Sequence, residues 1–522
     1  MNNGDMPLDG FFFDQAQAYE GFVGDRIFIE TDCECLTFRD FEAKVNSFVK
    51  VLRRQLTPAL LLSKEVVPVF VSVSNTWQSI AALFAVMRIG CAAIPIDAHL
   101  PENRVIELQR TFAVDYRVGV EFIEYWSQSL PDDYSQLKTQ QDIKVLTEVS
   151  CDDLWRPCGE ARLGIFTSGS SGSPKLVLHS HKSLLANASA ANEFIPLQAD
   201  DRTLLSLPLY HIGGFAQVLR SLLAQSTLVI AGRVESATVL SKFKITHTSM
   251  VATQLQRLLT CLDQALYLKA VLLGGGPVGE PLITLASDRG IPLYLTYGMT
   301  ETASQLLTQR VPFYIYDNPD SCPHSEVSSS QLTGGLSKAS ESVIPASKNH
   351  QKIIGDTCIT LTDDGELLVQ GETLMLGYIH DHTFNSGRDE EGWYHTRDRA
   401  VNIGGEVKVI GRLDNQFVSG GKNIQPEEIE AKLQLLDSII RAVVVPVPHP
   451  DFGWVPFAFL ELSAGLQLDD DYIKDTVIEL KNRLPGYLVP RHYAILPTVS
   501  KLKPQRKLLA GQAQNIYGLN AS

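Results

Sequence analysis

Short apolar runs alternate with helical stretches along the first 300 residues, and this alternation limits the chain to few folds. Residues 67–73 and 92–96 are nearly continuous apolar runs, and residues 77–89 between them have a helical pattern. Further strands are expected at residues 204–207, 227–230, 249–252, 270–273 and 292–295, with helices at 215–223, 253–262 and 279–288. A strand, a helix and a strand at this spacing are typical of a βαβ unit in a buried parallel sheet. The pattern predicts a doubly wound α/β fold, whose ligand crevice lies at the carboxyl ends of the strands.

The chain has 522 residues, which is too many for one hydrophobic core. After about residue 358 the sequence becomes β-rich, with Gly and Asp turns, and residues 412–415 form a polar break. We therefore predict an α/β protein with a large doubly wound N-terminal domain (1–411) that includes a β-rich subdomain. A hinge (412–415) and a small, mobile α+β C-terminal domain (416–522) are expected to follow. Residues 316–350, rich in Ser, Asn, Asp and Pro, are expected to form an exposed insertion.

Composition argues against several classes of protein. The formal net charge of −14 argues against a nucleic-acid partner, because a protein that binds nucleic acid would show a basic face. The eight cysteines include no CxxC pair, and His179 and His181 have no carboxylate or cysteine beside them, so structural histidines and no zinc are expected. The chain start lacks the basic and apolar parts of a signal peptide, and no run of 18 apolar residues occurs. We expect a cytoplasmic protein without stable membrane insertion, and homo-oligomer formation stays open.

A loop rich in hydroxyl groups and glycine joins two apolar runs, 163–166 and 176–178, that are expected to be strands. Glycine lets backbone N–H groups converge, hydroxyls add donors and lysine adds positive charge, which together suit the oxygens of a polyphosphate. The spacing is not that of a Walker A loop, and a flexible Ser/Gly turn is the alternative interpretation. The candidate phosphate-binding residues are Thr167, Ser168, Gly169, Ser170, Ser171, Gly172 and Lys175.

Five motifs in order make the chain resemble the adenylate-forming superfamily of acyl- and aryl-CoA synthetases, peptide-synthetase adenylation domains and luciferase. The motifs are the loop 167–175, YGMTE at 297–301, GWYHTRD at 392–398, GRLD at 411–414 and SGGKNIQPEEIE at 419–430. The phrases at 204–214, 270–278, 392–399 and 411–430 are most similar to the o-succinylbenzoate–CoA ligase family of menaquinone biosynthesis. The segment LPLYHIGGF lacks the aspartate that amino-acid-activating domains place there.

The resemblance implies a two-step ligation with ATP, Mg²⁺ and coenzyme A as co-substrate. The carboxylate of a small aromatic dicarboxylate attacks the α-phosphate of MgATP, which gives acyl-AMP and pyrophosphate, and the CoA thiol then displaces AMP. The rival interpretations are another aryl- or acyl-CoA ligase, a phosphotransferase or NTPase, and a non-catalytic binding protein. The missing Walker A spacing argues against an NTPase, and the intact motifs argue against a protein that only binds.

The resemblance also assigns roles around the nucleotide. Thr300 is expected to contact the α-phosphate, and Glu301 to hold Mg²⁺ through its hard oxygens. Asp398 is expected to accept from the ribose hydroxyls, assisted by Arg412. As alternatives, Glu301 only begins a helix and Asp398 only forms a surface ion pair. The adenine is expected between Tyr297, Gly298 and the loop Gly274, Gly275 and Gly276.

Two residues are assigned to the acyl pocket. By resemblance, His211 borders the pocket, and Arg220, which lies in an apolar helix, pairs with the second carboxylate of the substrate. A buried arginine needs an anionic partner, whereas an arginine that reaches solvent along the helix face is the alternative. Gly213 stands where family members often have serine, so a hydroxyl contact to the substrate is expected to be missing.

The C-terminal segment supplies the remaining assignments. Lys503 in the tail SKLKPQRKLL is the expected adenylation lysine, although Leu502 replaces the glycine that precedes it in the family, and a solvated basic tail is the alternative. Gly421, in the glycine loop, is expected at the substrate channel of the second step. Asp414 is the expected hinge residue, with an ordinary turn as the alternative.

Overall fold

A computed structural model describes most of the chain. The described residues are 24–55, 66–128, 143–145, 155, 158–168, 174–262, 264–276, 278–311, 351–380, 383–436, 438–463, 465–497 and 506–520. Five of the assigned site residues and the predicted insertion at 316–350 lie outside this part of the chain. The five residues are Gly169, Ser170, Ser171, Gly172 and Lys503.

The described strands are short, and several come in consecutive pairs. In the N-terminal half they are β1 (Ile27–Thr31), β2 (Cys35–Thr37), β3 (Pro68–Val73), β4 (Ala92–Asp97), β5 (Tyr116–Val118), β6 (Ile143–Val145), β7 (Ala161–Ser168), β8 (Pro174–Ser180), β9 (Arg202–Leu204), β10 (Thr227–Ile230), β11 (His247–Met250), β12 (Ala270–Leu273) and β13 (Leu293–Tyr297). The later strands are β14 (Leu307–Arg310), β15 (Gln351–Ile353), β16 (Thr357–Leu361), β17 (Glu366–Gly371), β18 (Gly377–His380), β19 (Thr383–Asn385), β20 (Tyr394–Ile403), β21 (Glu406–Arg412), β22 (Phe417–Ser419), β23 (Lys422–Ile424), β24 (Ile439–His449), β25 (Gly453–Leu462) and β26 (His492–Ile495).

The helices separate the strands of the N-terminal half and cover those of the C-terminal part. They are α1 (Phe38–Gln55), α2 (Trp77–Arg88), α3 (Glu102–Phe112), α4 (Val120–Gln128), α5 (His181–Phe194), α6 (Ile212–Ala224), α7 (Ala237–Lys242), α8 (Ala252–Thr260), α9 (Glu280–Asp288), α10 (Pro426–Leu433), α11 (Asp470–Lys481) and α12 (Arg506–Asn520). Two 3₁₀ turns, Thr300–Thr302 and Leu413–Asn415, lie at positions that the motifs singled out. Within the described residues, no helix combines the length and apolar character that a membrane span requires.

The N-terminal region contains two large mixed sheets. One has the order β15-β14-β13-β12-β11-β9-β10-β1-β2, and its central strands are parallel. The other has the order β19-β18-β8-β7-β4-β3-β5-β6, with a parallel centre and antiparallel flanks. The predicted doubly wound α/β fold is confirmed, and it is distributed over two sheets.

One apolar cluster joins these two sheets. A chain of aromatic contacts crosses it, with ring centroids 5.1 Å apart for Phe28 and Phe41, 6.1 Å for Phe41 and Phe84, and 6.0 Å for Phe84 and Phe215. All four rings are buried, and Val71 of the second sheet belongs to the same cluster. Burial of this kind is the main favourable term in folding, so the two sheets share one core.

The remaining strands form two smaller sheets. An antiparallel sheet of order β16-β17-β20-β21 is the predicted β-rich subdomain, and a sheet of order β23-β22-β25-β24, with β26 beside β25, follows residue 416. Val444 packs with Ile429 of α10 on one face of that last sheet, and Val443 packs with Leu509 of α12 on the other. A large N-terminal α/β region and a smaller α+β region are therefore both present.

Some element boundaries differ from those predicted. The strand expected at 204–207 is β9 (Arg202–Leu204), because the amides of Ser206 and Leu207 are taken by the Gln217 side chain of α6. The strand expected at 249–252 ends at Met250, since helix α8 begins at Ala252. The strand-to-strand geometry of the hydroxyl-rich loop is confirmed, because β7 and β8 are antiparallel neighbours with Thr167 opposite Lys175.

Candidate active site

At the carboxyl ends of β12 and β13, where the ligand crevice is predicted, close backbone packing requires glycine. A Cβ at Gly298 would lie 1.7 Å from the Ser304 carbonyl oxygen, and one at Gly274 would lie 2.6 Å from Thr296 Cγ2. Gly275 has a φ of +86°, which side chains other than glycine rarely adopt. Backbone packing therefore explains why the GGG and YG motifs contain glycine. A Cβ at Gly276 would meet nothing within 4 Å among the described residues, so this glycine borders open space.

A buried histidine holds the 3₁₀ turn that carries Thr300 and Glu301. His179 of β8 places its Nε2 2.7 Å from the Thr300 carbonyl oxygen and its Nδ1 3.2 Å from Ser183 Oγ. Burial lowers the pKa of His179 to about 4, so the ring is neutral at pH 7, with Nε2–H donating to Thr300. His179 has the expected structural role, and no cluster of three or more potential metal ligands occurs in the described part of the chain.

Glu301, the predicted Mg²⁺ ligand, is fixed at both main chain and side chain. Its carbonyl oxygen accepts from the Met375 amide at 2.8 Å, and its Oε1 accepts from the Tyr378 hydroxyl at 2.9 Å. The Tyr378 hydroxyl lies 2.8 Å from that of Tyr394, and Lys175 Nζ lies 5.3 Å from the centroid of the Tyr378 ring. The loop lysine and the glutamate therefore contact the same tyrosine, Lys175 at its ring and Glu301 at its hydroxyl. A hard carboxylate is a ligand type that suits Mg²⁺ bound to a polyphosphate.

Asp398 of β20 is buried, with 6% of its surface exposed, so the interpretation as a surface ion pair is wrong. Its Oδ2 accepts from the Tyr297 hydroxyl, and its Oδ1 lies 3.1 Å from Arg412 Nη1. Burial raises the pKa of Tyr297, and the neighbouring carboxylate adds to this, so the phenol stays protonated and remains a donor. Three predicted nucleotide-binding residues from three strands therefore meet at one point.

The predicted hinge residue is tied to this cluster. Asp414 lies in the 3₁₀ turn Leu413–Asn415, with Oδ2 3.2 Å from Arg412 Nη2 and Oδ1 3.2 Å from Arg397 Nη2. Arg397 has a φ of +60°, an uncommon value for a residue with a side chain, and its amide donates to Glu366 Oε1 at 2.9 Å. Arg412 is shared between the buried Asp398 and Asp414, so one guanidinium links the predicted nucleotide-binding residues to the polar break.

Arg220 lies inside the protein on α6, with 8% of its surface exposed, so the interpretation as a solvent-reaching arginine is wrong. Its Nε donates to Asn192 Oδ1 at 2.9 Å. Burial lowers its pKa to about 10, so the guanidinium remains charged at pH 7. Among the described residues, no carboxylate lies within ion-pair distance of it.

Arg220 lines a narrow internal cavity between α6 and the nine-stranded sheet. The polar lining includes Gln217, His247 and Ser249, and the apolar lining includes Leu272, two residues before the Gly274 loop. Thr203 also lines the cavity, and its buried Oγ1 has no hydrogen-bond partner among the described residues. A buried charge and an unsatisfied hydroxyl are expensive unless a polar group contacts them, so the cavity, with space for about one water molecule, suits a small polar group.

The structure separates His211 from this cavity. His211 immediately precedes α6, is exposed, and packs its ring against Tyr210 at 4.7 Å between centroids. Arg220 lies nine residues further along, about 13 Å of helix away. A Cβ at Gly213 would lie 3.0 Å from Leu207 Cδ1, so a serine there would require Leu207 to move. If both residues contact one acyl group, they contact opposite ends of it.

Gly420 and Gly421 form the turn between β22 and β23, with φ values of +54° and +79°. Gly421 is exposed, and none of the described contacts connects it to the nucleotide residues. Aromatic and basic side chains that the sequence analysis missed surround this hairpin. The Phe452 carbonyl accepts from the Gly420 amide at 2.9 Å, the Arg491 guanidinium lies 4.6 Å from the Phe452 ring, and Trp454 is exposed. In the sequence, the run HPDFGW at 449–454 is the local feature that could have indicated this surface.

The tail beyond Lys503 is anchored within the C-terminal region. Arg506 donates to Glu430 Oε1 at 2.6 Å and to Oε2 at 2.8 Å, and its Nη2 lies 3.3 Å from Glu427 Oε1. Glu427 also accepts from Asn415, which ends the 3₁₀ turn. Arg506 is therefore connected through Glu427 to the polar break.

Comparison with known proteins defines the class. The model of the family described as AMP-binding enzyme matches residues 14–379, which is more than half of the chain. The chain belongs to this family of AMP-binding enzymes.

Individual relatives within this family show which of its members the chain is similar to. The chain is 28% identical to the 2-succinylbenzoate–CoA ligase of Escherichia coli K12 over 80% of this chain and 82% of that protein. It is 28% identical to the 2-succinylbenzoate–CoA ligase of Haemophilus influenzae over 92% of this chain and 93% of that protein. The structure of o-succinylbenzoate CoA synthetase (MenE) from Bacillus subtilis with the acyl-adenylate intermediate OSB-AMP superposes with a TM-score of 0.73 at 20% identity, covering 96% of this chain and 98% of that one. At this identity the structural likeness shows the shared fold.

Proposed function

We propose that this chain is an acid–thiol ligase that joins 2-succinylbenzoate to coenzyme A through an acyl-adenylate, with release of AMP and pyrophosphate, in menaquinone biosynthesis. The observation that carries the proposal is Arg220, a buried and charged guanidinium without a carboxylate partner in the described part of the chain. A substrate with two carboxylates can place one at the nucleotide and the other at Arg220. The names of the relatives point to the same acid.

In the first half-reaction, a substrate carboxylate oxygen forms a bond to the α-phosphorus of ATP as the bond to pyrophosphate breaks. Charge is redistributed over phosphate oxygens, so positioning and positive charge carry most of the catalysis. Lys175 and the hydroxyl-rich loop are proposed to hold the β- and γ-phosphates, and Thr300 to contact the α-phosphate. Mg²⁺ bound at Glu301 would neutralise phosphate charge. The Glu301 carboxylate fits this role because only its Oε1 accepts from Tyr378.

Asp398, Arg412 and Tyr297 are proposed to hold the nucleoside. Asp398 is a buried carboxylate that can accept from ribose hydroxyls, as acidic residues do in other nucleotide sites. Arg412 forms an ion pair with its Oδ1, and the Tyr297 hydroxyl donates to its Oδ2. The open space at Gly276 leaves room for the flat adenine.

In the second half-reaction, the CoA thiol attacks the acyl carbonyl and AMP leaves. We propose that residues 416–522 rotate about 412–415, so that the Gly420–Gly421 hairpin replaces Lys503 at the site. Exposed Phe452 and Trp454, with Arg491 beside them, offer stacking and positive charge to the nucleotide part of CoA. ATP and CoA are cytoplasmic metabolites, and the enzyme is proposed to act there.

The decisive experiment is pyrophosphate exchange into ATP with a panel of acids. We expect exchange with 2-succinylbenzoate and little with benzoate, coumarate or medium-chain fatty acids, because these lack the second carboxylate. Exchange with a monocarboxylate and none with 2-succinylbenzoate would instead identify another acyl- or aryl-CoA ligase. Release of ADP and phosphate would place the chain among NTPases.

A further inference from the structure

Tyr378 occupies a position between two residues that were assigned to MgATP. Strand β18 pairs with β8 in antiparallel register, with Tyr378 opposite Val177, two residues beyond Lys175. Side chains two residues apart point to the same face of a strand, so Tyr378 and Lys175 share a face. The Lys175 Nζ accordingly lies 5.3 Å from the centroid of the Tyr378 ring, within the range of a cation–π contact.

The hydroxyl of Tyr378 joins a short chain of hydrogen bonds. It donates its single proton to Glu301 Oε1 at 2.9 Å, so the Tyr394 hydroxyl, 2.8 Å away, must donate to the Tyr378 oxygen. Consecutive hydrogen bonds in a buried site polarise and strengthen one another.

The direction of these hydrogen bonds determines which oxygen of Glu301 is left for a metal ion. The Tyr378 hydroxyl binds Oε1, which restrains the carboxylate, and Oε2 accepts no hydrogen bond from the described residues. Mg²⁺ tolerates little deviation from octahedral geometry, so the orientation of a ligating carboxylate matters. Groups that orient a metal ligand typically change affinity by about 10- to 100-fold when removed.

We propose that Tyr378 is a positioning residue for MgATP: its hydroxyl orients Glu301 for Mg²⁺, and its ring carries Lys175 toward the phosphates. This inference rests on the proposed function, because it assumes that MgATP binds at Lys175 and Glu301. It makes two predictions that can be separated, one for the hydroxyl and one for the ring.

Isothermal titration calorimetry without any acid tests the hydroxyl, because no turnover occurs. ATP is titrated into wild-type protein and Tyr378→Phe, once with Mg²⁺ and once with EDTA. We expect the variant to bind MgATP about 10-fold more weakly and metal-free ATP as the wild type does. AMP, which needs neither the metal nor Lys175, should bind both proteins equally and serves as the control for folding.

Two further variants separate the contributions. Tyr394→Phe removes one bond of the chain and keeps the Tyr378–Glu301 bond, so MgATP affinity should fall by less than in Tyr378→Phe. Tyr378→Leu also removes the ring, and metal-free ATP should then bind more weakly because Lys175 loses its support. In a Glu301→Gln background, Tyr378→Phe should have no further effect on MgATP binding.

The outcomes distinguish this inference from the proposed function. If Mg²⁺ tightens ATP binding equally in wild type and Tyr378→Phe, the positioning role is wrong while the ligase proposal stands. Equal weakening of MgATP, metal-free ATP and AMP would mean a merely structural role and would also overturn the inference. A wild-type protein that does not bind ATP would overturn both.

Discussion

Single buried ionisable residues set the chemistry of this molecule. Arg220 and His179 are both titratable and both buried, but at pH 7 Arg220 is charged and His179 is neutral. Desolvation acts on both in the same direction, toward the neutral form, but the ordinary pKa of arginine is so high that only histidine is discharged at pH 7. Burial therefore leaves Arg220 as a cation, which we propose pairs with a substrate carboxylate, and makes His179 a neutral donor.

We expect Arg220→Ala to lower kcat/KM for 2-succinylbenzoate by roughly 30- to 150-fold, because a charge-assisted contact is worth about 2–3 kcal/mol. Steady-state kinetics measure the effect. Arg257→Ala is the matched control, since the Arg257 side chain is 70% exposed and lies 3.6 Å from Glu235. An unchanged kcat/KM in the Arg220 variant would remove this residue from the acyl site.

His179 should make stability fall in acid. Its folded-state pKa of about 4 is below the ordinary value of 6.5, so the unfolded state binds the proton more tightly. The contribution is fully present above pH 6.5 and is lost as pH falls toward 4, with a loss of about 2 kcal/mol between pH 7 and pH 5. Urea unfolding at both pH values should show a smaller acid loss in His179→Gln, and equal losses would contradict the assignment.

At the scale of elements, the contact between β20 and the 3₁₀ turn combines backbone strain with an ion pair. Arg397 has its left-handed φ while its guanidinium contacts Asp414. A side chain in this conformation costs about 1–2 kcal/mol relative to glycine. An exposed ion pair stabilises the folded protein by about 0–1 kcal/mol, which offsets only part of that strain.

Arg397→Gly should therefore be about 1 kcal/mol more stable than Arg397→Ala, because both lose the ion pair and only alanine retains the strain. The free energy of unfolding in urea measures the difference. Arg399, on the same strand without a positive φ, is the matched position, and there glycine should be less stable than alanine. The same ranking at both positions would show that Arg397 is not strained.

The elements also show what a sequence can disclose. The position of the hydroxyl-rich loop between two strands, the YGMTE loop after β13 and the Gly420–Gly421 loop were predictable because each is encoded within a few consecutive residues. Tyr378 was not, since its contact with Glu301 joins residues 77 apart and depends on the pairing of β18 with β8. The early end of β9 was missed for a similar reason, because a side chain of α6 takes the amides that would have continued the strand.

At the scale of the whole molecule, the proposed reaction needs two arrangements of the C-terminal region. We expect Lys503→Ala to block adenylation and to spare thioester formation, because a lysine at the α-phosphate stabilises charge only in the first step. The assay supplies pre-made acyl-adenylate with CoA. Loss of both half-reactions, or of neither, would contradict the assignment and direct attention to Lys501 or Lys507, the neighbouring lysines of the same tail.

Asp414→Pro should have the reverse effect. Proline fixes φ near −65°, which suits a 3₁₀ turn and removes a freedom that a hinge uses. Adenylation should persist and most thioester formation should be lost in stopped-flow measurements of each half-reaction. Asp414→Ala is the control, because it removes the contacts to Arg397 and Arg412 without fixing the backbone. Wild-type CoA turnover in the proline variant would mean that Asp414 is not a hinge.

The position of β1 has a consequence for synthesis on the ribosome. The Thr227 hydroxyl bonds to the Ile27 carbonyl, which lies 200 residues earlier in the chain, and β10 is the parallel neighbour of β1. At about 5–20 residues per second, the nascent strand waits roughly 10–40 s for its partner. During that interval β1 and β2 present apolar side chains and unpaired amides, a template for other chains. Slow translation between residues 31 and 227 should therefore increase aggregation of nascent chains.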